Sequence, residues 1–218
     1  ALEAGRFGRL VLGTVRVRWC RDQAYYDQDA WRGRWELDGG VLANQASHHI
    51  DLLEWMLGEP VSVMAKMDTY LVDIEVEDTA AAIIKFRNGA MGIVEATTAT
   101  RPRDLEGSLS VLGEKGSVVI GGFAANRIET WNFEGDSAEE QEGVLREYAE
   151  MPPDVYGFGH QRYVEHVIQS IREGVRALVD GFEGRKSLEL INAIYESAET
   201  GREVALRFES KMSRLGRA

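Results

Sequence analysis

The side chains best suited to chemistry in this chain are Asn44, His48 and Asp51, separated by four and then three residues. On a helix that spacing sets them in one narrow polar stripe. A histidine titrates near neutrality and can take the proton of a hydroxyl group. An amide or carboxylate one turn away can hydrogen-bond the same hydroxyl or hold the imidazole. The plain alternative is a solvent-facing stripe of an amphipathic helix, which for a lone histidine is the commoner case. Trp55 weighs against it, because it continues the stripe and a large aromatic is costly to leave in water. This face is therefore expected to be covered by a ligand or by another domain.

A second group of chemically capable residues lies just upstream. Arg21, Gln23, Tyr25, Tyr26, Trp31 and Arg32 fall within residues 20–38, a polar and aromatic stretch with Gly33 that reads as a long loop. Guanidinium groups pair with phosphate or carboxylate in two-pronged fashion, and Tyr and Trp faces stack on sugars or bases. Arg16, Arg18 and Arg34 widen this basic cluster within a chain whose net charge is −11. The overall charge argues against nucleic acid as a partner, while the local cluster suits an anionic small molecule. A solvated strand face with aromatics filling an interface would carry the same pattern.

Other site types fit less well. His48, His49, Asp51 and His160 are metal-ligating types, but the spacing is not HExxH and adjacent helical histidines point about 100° apart. No metal is expected. The sequence holds no GxGxxG fingerprint, no phosphate-binding P-loop and no GxSxG elbow. Cys20 is the single cysteine, so no internal disulfide forms; it reads as a small apolar strand residue in a reducing, cytoplasmic setting. There is no charged-then-apolar leader and no apolar run near the ~20 residues that span a bilayer, so no membrane association is expected.

The elements that must position these groups follow from patterning. Residues 9–19 alternate and read as a strand. Gly39-Gly40 is expected to open a helix reaching Leu57, stopped by Gly58 and Pro60, with Leu42, Ala46, Leu53 and Leu57 on its apolar face. A run of strands follows: Val61–Val72, Asp78–Phe86, Ala90–Ala99, Gly107–Leu112, Ser117–Ile120 and Arg127–Phe133, with Asn88-Gly89 as a hairpin signal. Residues 134–150 read as an acidic surface insertion closed by Pro152-Pro153. Helices over Gly157–Glu173 and Gly184–Thr200 and a short strand over Glu203–Phe208 complete the chain. Consecutive strands without βαβ alternation imply an α+β fold: a largely antiparallel open β-sheet with helices packed on one face, in a single domain over residues 1–218.

The stretch Asp38-Gly39-Gly40-Val41-Leu42-Ala43-Asn44-Gln45-Ala46-Ser47-His48-His49-Ile50-Asp51 resembles the GGGxLxDxGxHxxD motif of the Gfo/Idh/MocA oxidoreductases. The run from Asp180-Gly181 through Arg185-Lys186-Ser187-Leu188-Glu189 to Ala198, and Gly201-Arg202-Glu203-Val204, are similar to the end of that family's C-terminal domain. The resemblance implies that His48 is the catalytic proton acceptor and that Asn44 stands where many members have Asp. Asp38 and Ala46 depart from the usual glycines. It also implies NAD or NADP as cofactor, bound mainly by an N-terminal Rossmann domain that this chain lacks, with contact here from Asn44 and His48. The family's catalytic lysine belongs to an EKP motif in that other domain, and no EKP occurs here. Lys66 and Lys85 lie in the strand run and have no claim to the role.

Within the family, Arg21-Asp22-Gln23-Ala24-Tyr25-Tyr26, Trp31-Arg32-Gly33 and Asn44-Gln45 are similar to UDP-N-acetyl-hexosamine-uronate 3-dehydrogenases. That similarity implies a sugar or nucleotide-sugar substrate held by Arg21, Gln23, Tyr25, Tyr26, Trp31, Arg32, Gln45 and His160, and a homodimer or homotetramer formed through the open sheet face. Two rival readings stay open. One is a non-catalytic sugar-binding or dimerising module; the other is a metal-dependent sugar isomerase using His48, His49 and Asp51.

Overall fold

The alternation of apolar and polar residues translates directly into a sheet with one covered face. In β3 (Thr79–Phe86), Ala80, Ala82, Ile84 and Phe86 are buried while Ala81, Ile83 and Lys85 are exposed. The same period of two runs through β1 (Leu10–Arg18), β2 (Pro60–Asp68), β4 (Met91–Thr97) and β5 (Glu106–Gly113). With β6 (Gly116–Gly121), β7 (Arg127–Phe133) and β8 (Val204–Ala205) they form an eight-stranded sheet in the order β7-β6-β5-β1-β4-β3-β2-β8. Among the described residues only β1 and β4 pair in parallel, and every other neighbour is antiparallel. The computed structural model describes residues 1–122, 125–149 and 159–206.

Helix α2 (Ser47–Leu57) and helix α5 (Gly181–Thr200) pack on the covered face and against each other. The expected α+β fold, with an open, largely antiparallel sheet and helices on one face, is thus observed. The approach is close. A Cβ on Gly13 would lie 2.5 Å from a methyl of Leu57 and 2.8 Å from one of Leu53, so α2 is seated where β1 has no side chain. Ile50, Leu53 and Leu57 from α2 join Ile84, Val94, Leu109, Ile191 and Ile194 in one core. Gly58 (φ 92°) ends α2, and the Asn88 amide donates to the Leu57 carbonyl at 2.8 Å, tying the β3–β4 turn to the helix end. Asp180 caps α5 by accepting from the Phe182 and Glu183 amides, and this sets the helix start three residues ahead of the expected Gly184.

The helix expected from Gly40 is the main correction. Residues 40–46 form turns, and α2 begins at Ser47. The reason is visible in the donors. The Val41 amide goes to the Glu77 carbonyl and the Leu42 amide to the Glu77 carboxylate, while the Ala46 amide reaches back five residues to Val41. A helical first turn would leave the first two free and give the third a partner four residues back. Asn44 therefore does not share a helix with His48.

Smaller departures follow the same logic. The acidic 134–150 stretch contains helix α3 (Ala138–Glu147), started by a capping box between Ser137 and Glu140. The 20–38 loop contains a single turn of helix, α1 (Gln23–Tyr26). Helix α4 spans Gly159–Glu173. Residues 157–158, the Pro152-Pro153 pair and the end of the last expected strand at 207–208 lie outside the described residues.

Candidate functional site

The site is assembled where β1 ends. Trp19 follows that strand, Cys20 bridges to Ala99, and the Arg21 amide donates to the Thr98 carbonyl at 3.0 Å. Asp22 then caps α1 by accepting from the Tyr25 amide at 3.0 Å. These local bonds lay residues 19–26 along the end of β4, next to the start of α2.

The side chains form a continuous ring-and-guanidinium surface. The His48 ring lies 5.7 Å from Trp19 at an interplanar angle of 31°, and 4.5 Å from His49. The Arg21 guanidinium lies 5.4 Å from the Trp19 ring centre and 5.3 Å from that of Tyr25. Arg32 covers the other side of the sequence cluster, 4.1 Å from the Tyr25 ring centre and 5.1 Å from that of Trp31. The Gln45 amide reaches the Tyr25 hydroxyl at 3.4 Å. Trp31 keeps an exposed face. Arg21, Tyr25, Trp31, Arg32, Gln45 and His48, spread over 28 residues of sequence, are thus brought together.

The other expected residues stand differently. Asn44 donates its amide to Asp38, whose second oxygen accepts from the Gly33 amide at 3.2 Å. Asn44 is thereby tied to the loop that carries Trp31 and Arg32. Tyr26 is buried, with its hydroxyl 3.1 Å from that of Thr98, and so faces inward from the cluster. Gln23 accepts from the Asp73 amide at 2.8 Å and donates to Asp27, which pins the 70s loop against α1. His160 stands in the exposed first turn of α4.

Burial tunes the titrating groups. Neighbouring atoms that desolvate the ring lower His48 from the ordinary imidazole value, although the residue itself is exposed at the surface. Burial, with His48 beside it, brings His49 down to about 4. Both shifts favour the neutral imidazole, which is the form that accepts a proton. Burial raises Asp38 against the opposing hydrogen bond from Asn44. Among the described residues, no group of three or more His, Cys, Asp or Glu is placed to hold a metal ion. None of the helices in the described residues is long and apolar enough to cross a membrane.

Three participants were not anticipated from the sequence. Trp19 closes the strand alternation two residues before Arg21, and an aromatic at a strand end beside a basic loop was the available signal. Glu77 lies outside both family-like stretches, Tyr195 sits on the apolar face of the last helix, and neither a buried carboxylate at the head of a strand nor a core phenol has a periodic signature of a polar role.

Residues 1–206 match the family described as "Oxidoreductase family, C-terminal alpha/beta domain", and the chain belongs to that family. The chain is 45% identical to the WlbA dehydrogenase from Bordetella pertussis, solved in complex with NADH and UDP-GlcNAcA, with a TM-score of 0.86 over 96% of this chain and 60% of that one. It is 25% identical to levoglucosan dehydrogenase of Pseudarthrobacter phenanthrenivorans, over 90% of this chain and 60% of the relative. It is 23% identical to myo-inositol 2-dehydrogenase of Thermotoga maritima, over 78% of this chain and 50% of the relative. The chain thus spans between half and three fifths of the length of these relatives.

Proposed function

We propose that this chain is the substrate-binding part of an NAD(P)-dependent dehydrogenase that oxidises a hydroxyl group of a nucleotide sugar, with His48 as the proton acceptor. The observation that carries the reading is the unbroken surface from His48 through Trp19, Arg21 and Tyr25 to Arg32. It sets a neutral imidazole beside aromatic faces suited to a sugar or base and guanidinium groups suited to its anionic part. The relative solved with NADH and UDP-GlcNAcA supports the same substrate class.

In this reading the hydroxyl proton passes to His48 as the carbon–hydrogen electron pair leaves as hydride for the oxidised nicotinamide, and the carbon–oxygen double bond forms. Removal of the proton offsets the positive charge that would otherwise build on carbon. Asn44, held by Asp38, orients the hydroxyl. The chain has no glycine-rich strand-to-helix turn for a pyrophosphate, so its residues suit only the reacting end of the cofactor, and a Rossmann domain elsewhere in the protein holds the rest. The open sheet face takes a second copy of the chain. Exposed Met64, Ile83 and Met91 lie on it, with Met64 opposite Ile83 in the β2–β3 register. A cytoplasmic location belongs to the same reading.

The test uses the full-length protein with NAD⁺ or NADP⁺ and UDP-GlcNAcA, following reduced cofactor by absorbance and sugar-nucleotide affinity by calorimetry. His48→Ala is expected to lose about a hundredfold or more in turnover and to keep most of its affinity. Affinity that collapses while bound substrate still turns over would remove His48 from this role. Binding of the sugar nucleotide with no turnover by the wild type would favour the non-catalytic module.

A further inference from the structure

The 38–46 segment carries Asn44 and delivers His48, yet it is not held as a helix. Its backbone is held by two buried side chains that touch each other but lie far apart in the sequence. Glu77, which precedes β3 and is 2% exposed, accepts on one oxygen both the Leu42 amide at 2.9 Å and the Tyr195 hydroxyl at 2.8 Å. The Glu77 carbonyl accepts the Val41 amide at 3.1 Å. Tyr195, on α5 and fully buried, accepts in turn from the Gly40 amide at 3.2 Å, and Trp35 packs edge-on against its ring at 5.3 Å. A Cβ on Gly40 would stand 2.2 Å from the second Glu77 oxygen, so backbone and carboxylate are in direct contact there.

Three successive amides, at Gly40, Val41 and Leu42, are thereby fixed from below. The next bonds pass this outward. The Asn44 amide donates to the Gly40 carbonyl, the Ala46 amide to that of Val41, and the His49 and Ile50 amides to that of Ala46. The path ends on the backbone of Asn44 and on the first turn of α2, where His48 stands. An apolar side chain of similar volume would fill the Glu77 site without the desolvation penalty of a carboxyl group, but would leave the Leu42 amide and the Tyr195 hydroxyl unpaired.

We propose that Glu77 and Tyr195 are positioning residues, a buried carboxyl–phenol pair that fixes the 40–42 backbone and through it the seats of Asn44 and His48. The catalytic consequence rests on the dehydrogenase reading above; the structural one does not, and the experiment separates them.

Tyr195→Phe in the full-length protein removes the phenol oxygen and keeps the ring packing. Hydrogen–deuterium exchange and steady-state kinetics with NAD⁺ and UDP-GlcNAcA are measured on the same samples. Exchange over residues 39–46 is expected to rise about tenfold, the effect of one buried hydrogen bond, with β3 and β4 unchanged. Turnover is expected to fall about tenfold through misplacement of the reacting groups, with KM for NAD⁺ moving by less than about threefold. Glu77→Gln, which keeps an acceptor oxygen and the shape, is expected to retain most of the turnover that Glu77→Ala loses. Unchanged exchange over 39–46, or an equal rise across the sheet, would overturn the proposal. So would a loosened segment with turnover intact. If the wild type oxidises no sugar nucleotide, the dehydrogenase reading fails, and exchange over 39–46 alone then decides whether the pair holds the loop.

Discussion

Glu77→Gln makes a sharp test of the buried network through the pH dependence of stability. Burial raises the Glu77 carboxyl from its ordinary 4.5 to about 7, against the lowering effect of the Leu42 and Tyr195 hydrogen bonds. Below pH 4.5 the group is neutral in both folded and unfolded chains, and its neutral form costs the fold nothing through ionisation. Between 4.5 and about 7 the unfolded chain gives up its proton while the folded chain keeps it, so stability falls as pH rises. Above about 7 both states are ionised and the loss is complete. At about 1.4 kcal/mol per pH unit, the interval amounts to about 3 kcal/mol.

Glutamine has no such titration. It places an amide against Gly40, which adds a pH-independent cost of about 1–3 kcal/mol. The diagnostic quantity is therefore the difference between two pH values, not either value alone. Glu54, which burial also raises to about 7, titrates in both proteins and cancels. Urea unfolding at pH 5 and pH 8 is the assay. The wild type is expected to lose about 2.5 kcal/mol more than the variant between the two values, since part of the loss already falls below pH 5. Equal losses would show that the Glu77 carboxyl ionises normally in the fold, and would refute the account of a wholly buried, proton-holding group.

Two further outcomes follow from the packing and the site. Leu53→Ala removes a fully buried side chain wedged against Gly13, and is expected to lower unfolding free energy by about 2–5 kcal/mol with no change in denaturant slope. Arg32→Ala is expected to weaken UDP-GlcNAcA binding about tenfold or more, with the deficit shrinking at high salt, whereas the same change at Arg87, in an exposed pair with Glu59, is expected to leave calorimetric affinity unaltered.

Where a residue's role depends on its immediate neighbours in the chain, the sequence was readable. The strand run and the apolar face of Leu53 and Leu57 rest on periods of two and 3.6, the Asn88-Gly89 turn rests on the chemistry of its two residues, and all are found, with the strand expected over Val61–Val72 stopping at Asp68. The gathering of Arg21, Tyr25 and Arg32 was also legible, because they share one loop. What failed was the helix from Gly40, and it failed because its competitor lies far off in sequence. The pattern from Leu42 to Leu57 is helical at every step. Nothing local reports that Glu77, 35 residues on, takes the Leu42 amide, or that Tyr195, 155 residues from Gly40, takes that one. The same long reach hides Trp19, which joins the site only because β1 pairs in parallel with β4 and ends beside α2. A local pattern states what a segment prefers. At this site the preference yields to two buried acceptors, and the turn they impose holds Asn44 beside Asp38, where the intended helix would have carried it up the stripe below His48.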